Sequence, residues 1–176
     1  IDPGLFISGV GGLQPMQRLH DLGIKAVCNA AQENLYHIGW SARDQDREST
    51  LEDLDKHFEV LIVGAEDCSD CNLSEHFEKI AGFMERGRAL GGVVVHCAAG
   101  ISRASTSACA YLMLKEHWSL TAAFKRVHSV RNFVSPNQGF WRQLRDLEAS
   151  LIAQGVELKE LPADWEPCPQ PEAARL

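Results

Sequence analysis

One short segment of the chain combines a nucleophile, a run of small residues and a cation. It reads His96-Cys97-Ala98-Ala99-Gly100-Ile101-Ser102-Arg103 and follows the apolar run Val93-Val94-Val95. A cysteine is a nucleophile in its thiolate form. Small residues allow successive backbone N–H groups to point into one concavity, which binds an anion. The segment is therefore predicted to bind a phosphate through residues 98–103, with Cys97 as the nucleophile beneath it.

The predicted start of a helix at Ser102 strengthens this interpretation. A helix N-terminus carries roughly half a positive charge, which favours a bound phosphate and a negatively charged sulfur. Arg103 would lie in the first helical turn, where its planar guanidinium can hold two phosphate oxygens. The alternative is a small buried cysteine followed by a surface arginine. The valine run, the glycine and the apolar helix argue against that alternative, so we expect Cys97 to be a thiolate at neutral pH.

The run from His96 to Arg103 resembles the Cys-x5-Arg signature of the cysteine-dependent protein tyrosine phosphatases, and the short chain is similar to their dual-specificity branch. Other segments resemble that branch's first strand, a strand ending in Asn, the central helix and the start of the last helix; they are Leu5–Gly9, Val27–Ala30, Ala110–Met113 and Ser135–Trp141. The resemblance covers about residues 5–150 and is closest to the small atypical members without a separate kinase-docking domain.

This resemblance implies a function. It implies a protein phosphatase that acts on phosphotyrosine and on phosphoserine or phosphothreonine through a phosphocysteine intermediate. It implies no cofactor and no metal, and phosphorylated proteins as partners, signalling kinases among them. The oligomeric state stays open.

A proton donor for the leaving group is the remaining requirement of this chemistry. The segment Glu66-Asp67-Cys68-Ser69-Asp70 offers three carboxylates. In phosphatases of this kind the acid lies in the loop before the helix that precedes the catalytic strand, about 30 residues ahead of the cysteine. Asp67 is 30 residues ahead of Cys97. The resemblance therefore assigns Asp67 as general acid and base, with Asp70 as the alternative.

Four further residues have supporting or open roles. His96 is expected to orient the loop by hydrogen bonds, since a thiolate needs no base. Asn29 is expected to support the site from a neighbouring strand. Arg131 and Arg142 could contact a second phosphate, but we interpret them as solvated helix charges.

Ala104 departs from the family pattern, in which a Ser or Thr follows the arginine and donates a hydrogen bond to the departing sulfur. Ser105 or Thr106 could supply that hydroxyl instead. We expect catalysis with a slow second step. Slow turnover leaves a phosphoprotein-binding scaffold as an alternative function.

The predicted strands and helices position the candidate site residues. Apolar runs predict strands at Leu5–Ser8, Ile24–Ala30, Phe58–Val63 and Val93–Val95. Helical spacing predicts helices around Gln14–Leu22, from Ser102 to about His117 and from about Gln138 to Gln154. Two further helices are predicted to begin at a capping residue, one at Asn72 or Ser74 and the other at Ser119. This order indicates an α/β fold with a central, mostly parallel twisted sheet of about five strands flanked by helices. Ligands of such sheets bind beyond the carboxyl ends of the strands.

Composition and charge narrow the function further. The 176 residues predict one catalytic domain over residues 1–155 and a Pro-rich C-terminal tail over 156–176. The formal charge of −7 opposes a main role in coating nucleic acid or an anionic membrane. The absence of lysine from residues 97–103 also disfavours a phosphoinositide or RNA phosphatase.

The six cysteines are too few and too irregularly spaced for a disulfide scaffold, which favours a reducing compartment. No run of 18 apolar residues and no signal-like N-terminus is visible, so we expect a cytoplasmic protein, with the nucleus as a second compartment. Cys68 and Cys71 have metal-ligand spacing but no matching second pair, and two loop cysteines is the favoured interpretation.

Overall fold

A parallel β-sheet forms the centre of the fold in the computed structural model, which describes residues 1–32 and 54–167. Its strands are β1 (Leu5–Gly9), β2 (Ala26–Asn29), β3 (Glu59–Ile62) and β4 (Val93–Cys97). Their order is β1-β4-β2-β3, and every neighbouring pair is parallel. The predicted parallel α/β architecture is confirmed. The described residues contribute four strands to the sheet, where the sequence predicted about five.

The helices cover both faces of this sheet. They are α1 (Met16–Asp21), α2 (Leu54–His57), α3 (Phe77–Ala89), α4 (Arg103–Glu116), α5 (Leu120–Val130) and α6 (Gln138–Ala153), with two short 3₁₀ helices at Val10–Leu13 and Leu73–His76. No helix in the described parts of the chain is long and apolar enough to cross a membrane.

Successive side chains of a strand point to opposite faces of the sheet, and on the two faces they pack into two separate hydrophobic clusters. Val93 and Val95 of β4 face the cluster that α3–α6 build, whereas Val94 faces the smaller cluster of α1 and α2. All three valines are fully buried. A strand covered on both faces has no polar side to alternate with, which explains the continuous valine run in the sequence.

The central place of β4 determines where the site lies. β4 pairs with β1 on one side and with β2 on the other, so that Cys97 lies opposite Gly9 and His96 lies opposite both Ser8 and Asn29. The carboxyl ends of three strands therefore meet beside Cys97. This is the edge at which parallel sheets bind ligands.

Predicted helix caps have mixed outcomes. Ser119 caps α5 as expected, because its side chain accepts a hydrogen bond from Ala122 N at 3.1 Å. The prediction that Asn72 or Ser74 caps α3 is wrong, since α3 begins only at Phe77, after a 3₁₀ turn, and neither side chain caps it. Instead Gln143 of α6 accepts from Ser74 N at 2.8 Å.

The start of the predicted tail is attached to the domain. Lys159 O accepts from Ser119 N at 2.9 Å, and Lys159 N donates to His117 O at 2.7 Å. Val156 and Leu158 pack against the main hydrophobic cluster. Residues 168–176 of the tail lie outside the described residues.

The burial of His96 predicts a pH dependence of stability. Burial lowers the pKa of His96 to about 4, below its ordinary value of 6.5. Between these values the unfolded chain binds more protons than the folded one, so stability falls as the pH falls. We expect His96 to account for about 2 kcal/mol of lost unfolding free energy between pH 7 and pH 5.

Urea unfolding of the wild-type chain and of a His96→Asn variant at both pH values measures this effect. The variant should lose about 2 kcal/mol less on acidification than the wild type, whatever its stability at pH 7. Equal losses in the two proteins would contradict the assignment.

Candidate active site

Cys97 is the last residue of β4, and α4 begins six residues later at Arg103. The residues between them turn over the sulfur, so that Gly100 N donates to Cys97 Sγ at 3.2 Å. The Cys97 side chain is buried. We call residues 97–103 the 97–103 loop.

Every backbone carbonyl of residues 98–101 accepts a hydrogen bond from outside the loop. Ala98 O accepts from Val10 N at 3.0 Å, and Ile101 O accepts from Ser135 N at 3.0 Å. Between them, Ala99 O accepts from Arg131 Nη2 at 2.9 Å and Gly100 O from Arg131 Nε at 3.0 Å. Within the described residues, the N–H groups of Ala99, Ile101 and Ser102 have no acceptor. A turn whose carbonyls are all engaged from outside, while its N–H groups stay available, is an anion-binding concavity.

Gly100 is required by this conformation for two reasons. Its φ is +69°, in the left-handed region that other residues rarely adopt. A Cβ at this position would lie 2.5 Å from both the carbonyl carbon and the carbonyl oxygen of Ser8. The end of β1 therefore lies directly against the 97–103 loop, and only a glycine fits between them.

Arg103 projects from the first turn of α4 towards the loop that contains Asp67. Its Nη1 donates to Ala65 O at 3.0 Å, which fixes one end of the guanidinium. Its Nε is buried and has no hydrogen-bond partner among the described residues, although it lies 3.5 Å from Asp67 Oδ2. This leaves a preorganised donor beside the N–H groups of the loop.

Asp67 is held by two donors that sequence reasoning did not assign to it. Its Oδ1 accepts from Ser102 Oγ at 2.7 Å and from Asn137 Nδ2 at 3.0 Å. Asn137 also caps α6, because its side-chain oxygen accepts from Phe140 N. Ser-Pro-Asn before a helical pattern is a recognisable cap signal, but nothing in the sequence indicates that the free amide of Asn137 reaches Asp67. Asp70, the alternative acid, makes no hydrogen bond or ion pair within the described residues.

The interpretation of Arg131 as a solvated helix charge is wrong. Arg131 follows the end of α5, and its guanidinium donates to two carbonyls of the 97–103 loop. Burial lowers its pKa, and the nearby Cys97 sulfur acts in the opposite direction. The ring of Phe133 lies 4.3 Å from its guanidinium carbon. Arg142, in contrast, is an exposed residue of α6, as expected.

His96 and Asn29 support the loop from within the sheet. His96 Nδ1 lies 3.4 Å from Cys97 O, and the lowered pKa described above keeps the imidazole neutral. Asn29 Oδ1 accepts from Ala31 N at 2.9 Å and thereby shapes the turn that follows β2. Ala30 N donates to His96 O at 2.8 Å, which joins this turn to β4.

The two hydroxyls that could replace the missing one at position 104 are engaged elsewhere. Ser105 Oγ donates to the carbonyls of Ile101 and Ser102, and Thr106 Oγ1 donates to Ser102 O at 2.8 Å. Ala104 itself is fully buried. The N–H of Gly100 is the donor that the structure places on the sulfur.

The other described cysteines differ from Cys97 in their surroundings. Burial raises the pKa of Cys28 and of Cys109 to about 12, so both are neutral thiols at physiological pH. Cys68 is exposed and Cys71 is half-buried. Over the described residues, no three His, Cys, Asp or Glu side chains are grouped so that they could hold a metal ion.

A parallel sheet that places a cysteine at its carboxyl edge, an anion-binding turn after it and an arginine at the next helix start defines a protein tyrosine phosphatase-like fold. Comparison with known proteins agrees. The family described as "Dual specificity phosphatase, catalytic domain" matches residues 5–150. The chain belongs to this family of dual specificity phosphatases, which are protein phosphatases and hydrolases.

Particular relatives agree with the small atypical branch that the sequence predicted. Dual specificity protein phosphatase 26 of Rattus norvegicus is 35% identical over 157 residues, which are 88% of this chain and 68% of the rat protein. A mouse putative dual specificity phosphatase, solved in complex with zinc tungstate, is 30% identical with a TM-score of 0.73, over 88% of each chain.

A third relative is much longer than this chain. MAP kinase phosphatase with leucine-rich repeats protein 1 of Dictyostelium discoideum is 36% identical over 94 residues, which are 53% of this chain and 11% of that protein. The chain thus spans about a tenth of the Dictyostelium protein.

The position of Arg131 predicts that its loss weakens oxyanion binding. Without the guanidinium, two loop carbonyls lose their charged donor, and the N–H groups behind them lose their fixed direction. An Arg131→Met variant should bind orthovanadate at least about tenfold more weakly, the effect of one lost hydrogen bond to a charged group. Arg131→Lys should recover part of this loss.

Inhibition constants for orthovanadate, measured against hydrolysis of an aryl phosphate, test this prediction. Arg86→Met removes an exposed arginine of α3 and serves as the matched control. An unchanged inhibition constant in Arg131→Met, with thermal unfolding showing an intact fold, would remove Arg131 from the site.

Proposed function

We propose that this chain hydrolyses phosphotyrosine and phosphoserine or phosphothreonine in proteins, with Cys97 as nucleophile and Asp67 as general acid and then base. The observation that carries the proposal is the turn over the buried Cys97 sulfur, whose N–H groups at Ala99, Ile101 and Ser102 have no acceptor within the described residues, together with an Arg103 Nε that has no hydrogen-bond partner there. A phosphoryl group in that concavity would have its oxygens on these donors and its phosphorus above the sulfur.

In the first step the Cys97 thiolate forms a bond to phosphorus while the bond from phosphorus to the substrate oxygen breaks. The leaving oxygen needs a proton, for which Asp67 is the candidate donor. Asp67 Oδ1 is occupied by Ser102 and Asn137, whereas Oδ2 faces Arg103. Oδ2 is therefore the oxygen that we propose carries the proton.

In the second step water attacks the phosphocysteine. The Asp67 carboxylate accepts a proton from the water, the bond from sulfur to phosphorus breaks, and Cys97 leaves as a thiolate with inorganic phosphate as product. The loop N–H groups and Arg103 hold the negative charge of the phosphoryl oxygens through both transition states.

Phosphorylated proteins are the proposed substrates. The Dictyostelium relative is named a MAP kinase phosphatase, which makes phosphorylated signalling kinases reasonable candidates. The relative solved with zinc tungstate supports oxyanion binding by this fold.

Replacing the nucleophile tests the proposal directly. Cys97→Ser should abolish hydrolysis of an aryl phosphate and of phosphopeptides but keep tungstate binding, because the N–H groups and Arg103 remain. Arg103→Lys should also lose activity, since an ammonium cannot make the bidentate contact. Persistent turnover by Cys97→Ser would exclude Cys97 as the nucleophile.

Replacing the two neighbouring aspartates one at a time identifies the general acid. Asp67→Asn should lower turnover by about 10² to 10⁴, the usual contribution of a positioned acid, and by less for substrates whose leaving group needs no proton. Its pH–rate profile should lose the basic limb. Asp70→Asn is the matched control, because it makes the same change three residues away. The reverse result would move the acid to Asp70.

The lack of a hydroxyl at Ala104 predicts that hydrolysis of the phosphocysteine is the slow step. Formation of the phosphocysteine uses no hydroxyl at position 104, but departure of the sulfur lacks one hydrogen bond, which slows hydrolysis by about tenfold to a hundredfold. An activated aryl phosphate should therefore give a burst of phenol approaching one equivalent per enzyme. Ala104→Ser should raise the steady-state rate and leave the burst rate nearly unchanged.

Stopped-flow kinetics of both proteins measure the two rates. A wild-type trace without a burst, or an Ala104→Ser variant no faster than the wild type, would show that the hydroxyl is dispensable here. A very slow second step would favour the scaffold alternative.

A further inference from the structure

A cavity of about 550 Å³ lies beside the loop that contains Asp67. Its walls are Ser69 on that loop and four residues of α6, namely Gln138, Trp141, Arg142 and Arg145. Among the described residues, neither the 97–103 loop nor Asp67, Asn137 or Arg131 contributes to its walls. The cavity is therefore separate from the 97–103 loop.

The cavity nevertheless adjoins the proposed general acid. Ser69 follows Asp67 by two positions, and Gln138 directly follows Asn137, which donates to Asp67. The two walls are packed together, since a Cβ on Gly139 would lie 2.0 Å from Ser69 O. Gln143 Nε2 also donates to Cys71 O at 2.8 Å. The loop that contains Asp67 is thus packed directly against α6 beside the cavity.

Two guanidinium groups give the cavity its charge. Arg142 and Arg145 are one helical turn apart, so they lie on the same face of α6. Neither guanidinium forms a hydrogen bond or an ion pair within the part of the chain that the structure describes. Trp141, which precedes Arg142 and also lines the cavity, packs against Phe124, with the two ring centroids 4.8 Å apart. In a chain of net charge −7, two adjacent unpaired arginines in a concave site favour an external anion.

We propose that this cavity binds a second anionic side chain of the phosphoprotein substrate, either a carboxylate or a second phosphate. The inference rests on the proposed function, because it places the scissile phosphate on the 97–103 loop. Asp67 must lie next to the leaving oxygen, so the substrate chain emerges from the site on the side of Asp67. The cavity begins there, and Arg142 and Arg145 select acidic or doubly phosphorylated sequences.

Phosphotyrosine peptides that differ at one flanking position test the proposal. That position carries Glu, phosphothreonine or Gln, on either side of the phosphotyrosine. The measured quantity is the ratio of kcat/KM for the anionic peptide to kcat/KM for the Gln peptide. We expect a ratio of about ten on one side for the wild type, as for one charge-assisted hydrogen bond, and about one for Arg142→Gln/Arg145→Gln.

A double variant with the same loss of charge controls for the overall field of the protein. Arg86→Gln/Lys125→Gln removes two exposed cations that do not line the cavity and should keep the wild-type ratio. A preference for both anions indicates a general anion site, and a preference for phosphothreonine alone indicates a phosphate site. No wild-type preference, a preference that survives Arg142→Gln/Arg145→Gln, or an equal loss in the control would overturn the proposal.

Binding of the same peptides to Cys97→Ser, measured by calorimetry, separates the two levels of inference. If wild-type protein hydrolyses neither the peptides nor an aryl phosphate, the proposed function fails, and the affinity ratios still decide on the cavity. If hydrolysis proceeds but neither kinetics nor affinity depends on the flanking charge, the cavity proposal alone fails.

Discussion

The contact between the end of β1 and Gly100 is the constraint on which the site depends. Gly100 approaches the Ser8 carbonyl so closely that no side chain fits, and its positive φ reverses the backbone there. With that reversal, the carbonyls of residues 98–101 meet donors outside the loop, while N–H groups of the loop, among them those of Ala99, Ile101 and Ser102, have no acceptor within the described residues. An acidic protein can thus concentrate positive potential at one point without a basic surface. The sulfur of Cys97 lies at that point.

Two arginines serve this loop in different ways. Arg131 donates to two loop carbonyls, so its charge orients the backbone. Arg103 Nε has no hydrogen-bond partner among the described residues and lies 3.5 Å from Asp67 Oδ2, which leaves a donor for the proposed phosphate. The same residue type is in one place a structural support and in the other a proposed binding group. The two roles differ because Arg131 donates to carbonyls of the loop, whereas Arg103 keeps one donor for a ligand. Loss of Arg131 would be costly, because a buried polar group without a hydrogen-bond partner is destabilising.

Much of this arrangement could be predicted from local sequence. The valine run 93–95 indicated the central strand, Ser119 indicated a helix start, and the run from His96 to Arg103 indicated the loop, because each signal is contained in a few adjacent residues. The contacts of Arg131 and the two donors to Asp67 could not be predicted, since they join residues 31 to 70 positions apart. The false cap at Asn72 has the same origin: Gln143, 69 positions from Ser74, takes the N–H that a local cap would have taken.

The central claim is that the 97–103 loop holds a phosphoryl group over a nucleophilic Cys97. The most direct test is to quench the reaction with an activated, radiolabelled aryl phosphate in acid within the first turnover, digest the protein and locate the label by mass spectrometry. The account predicts one labelled peptide, the one that contains Cys97, with close to one phosphoryl group per enzyme and none in Cys97→Ser. Turnover without any label on Cys97, or label on another residue in both proteins, would contradict it.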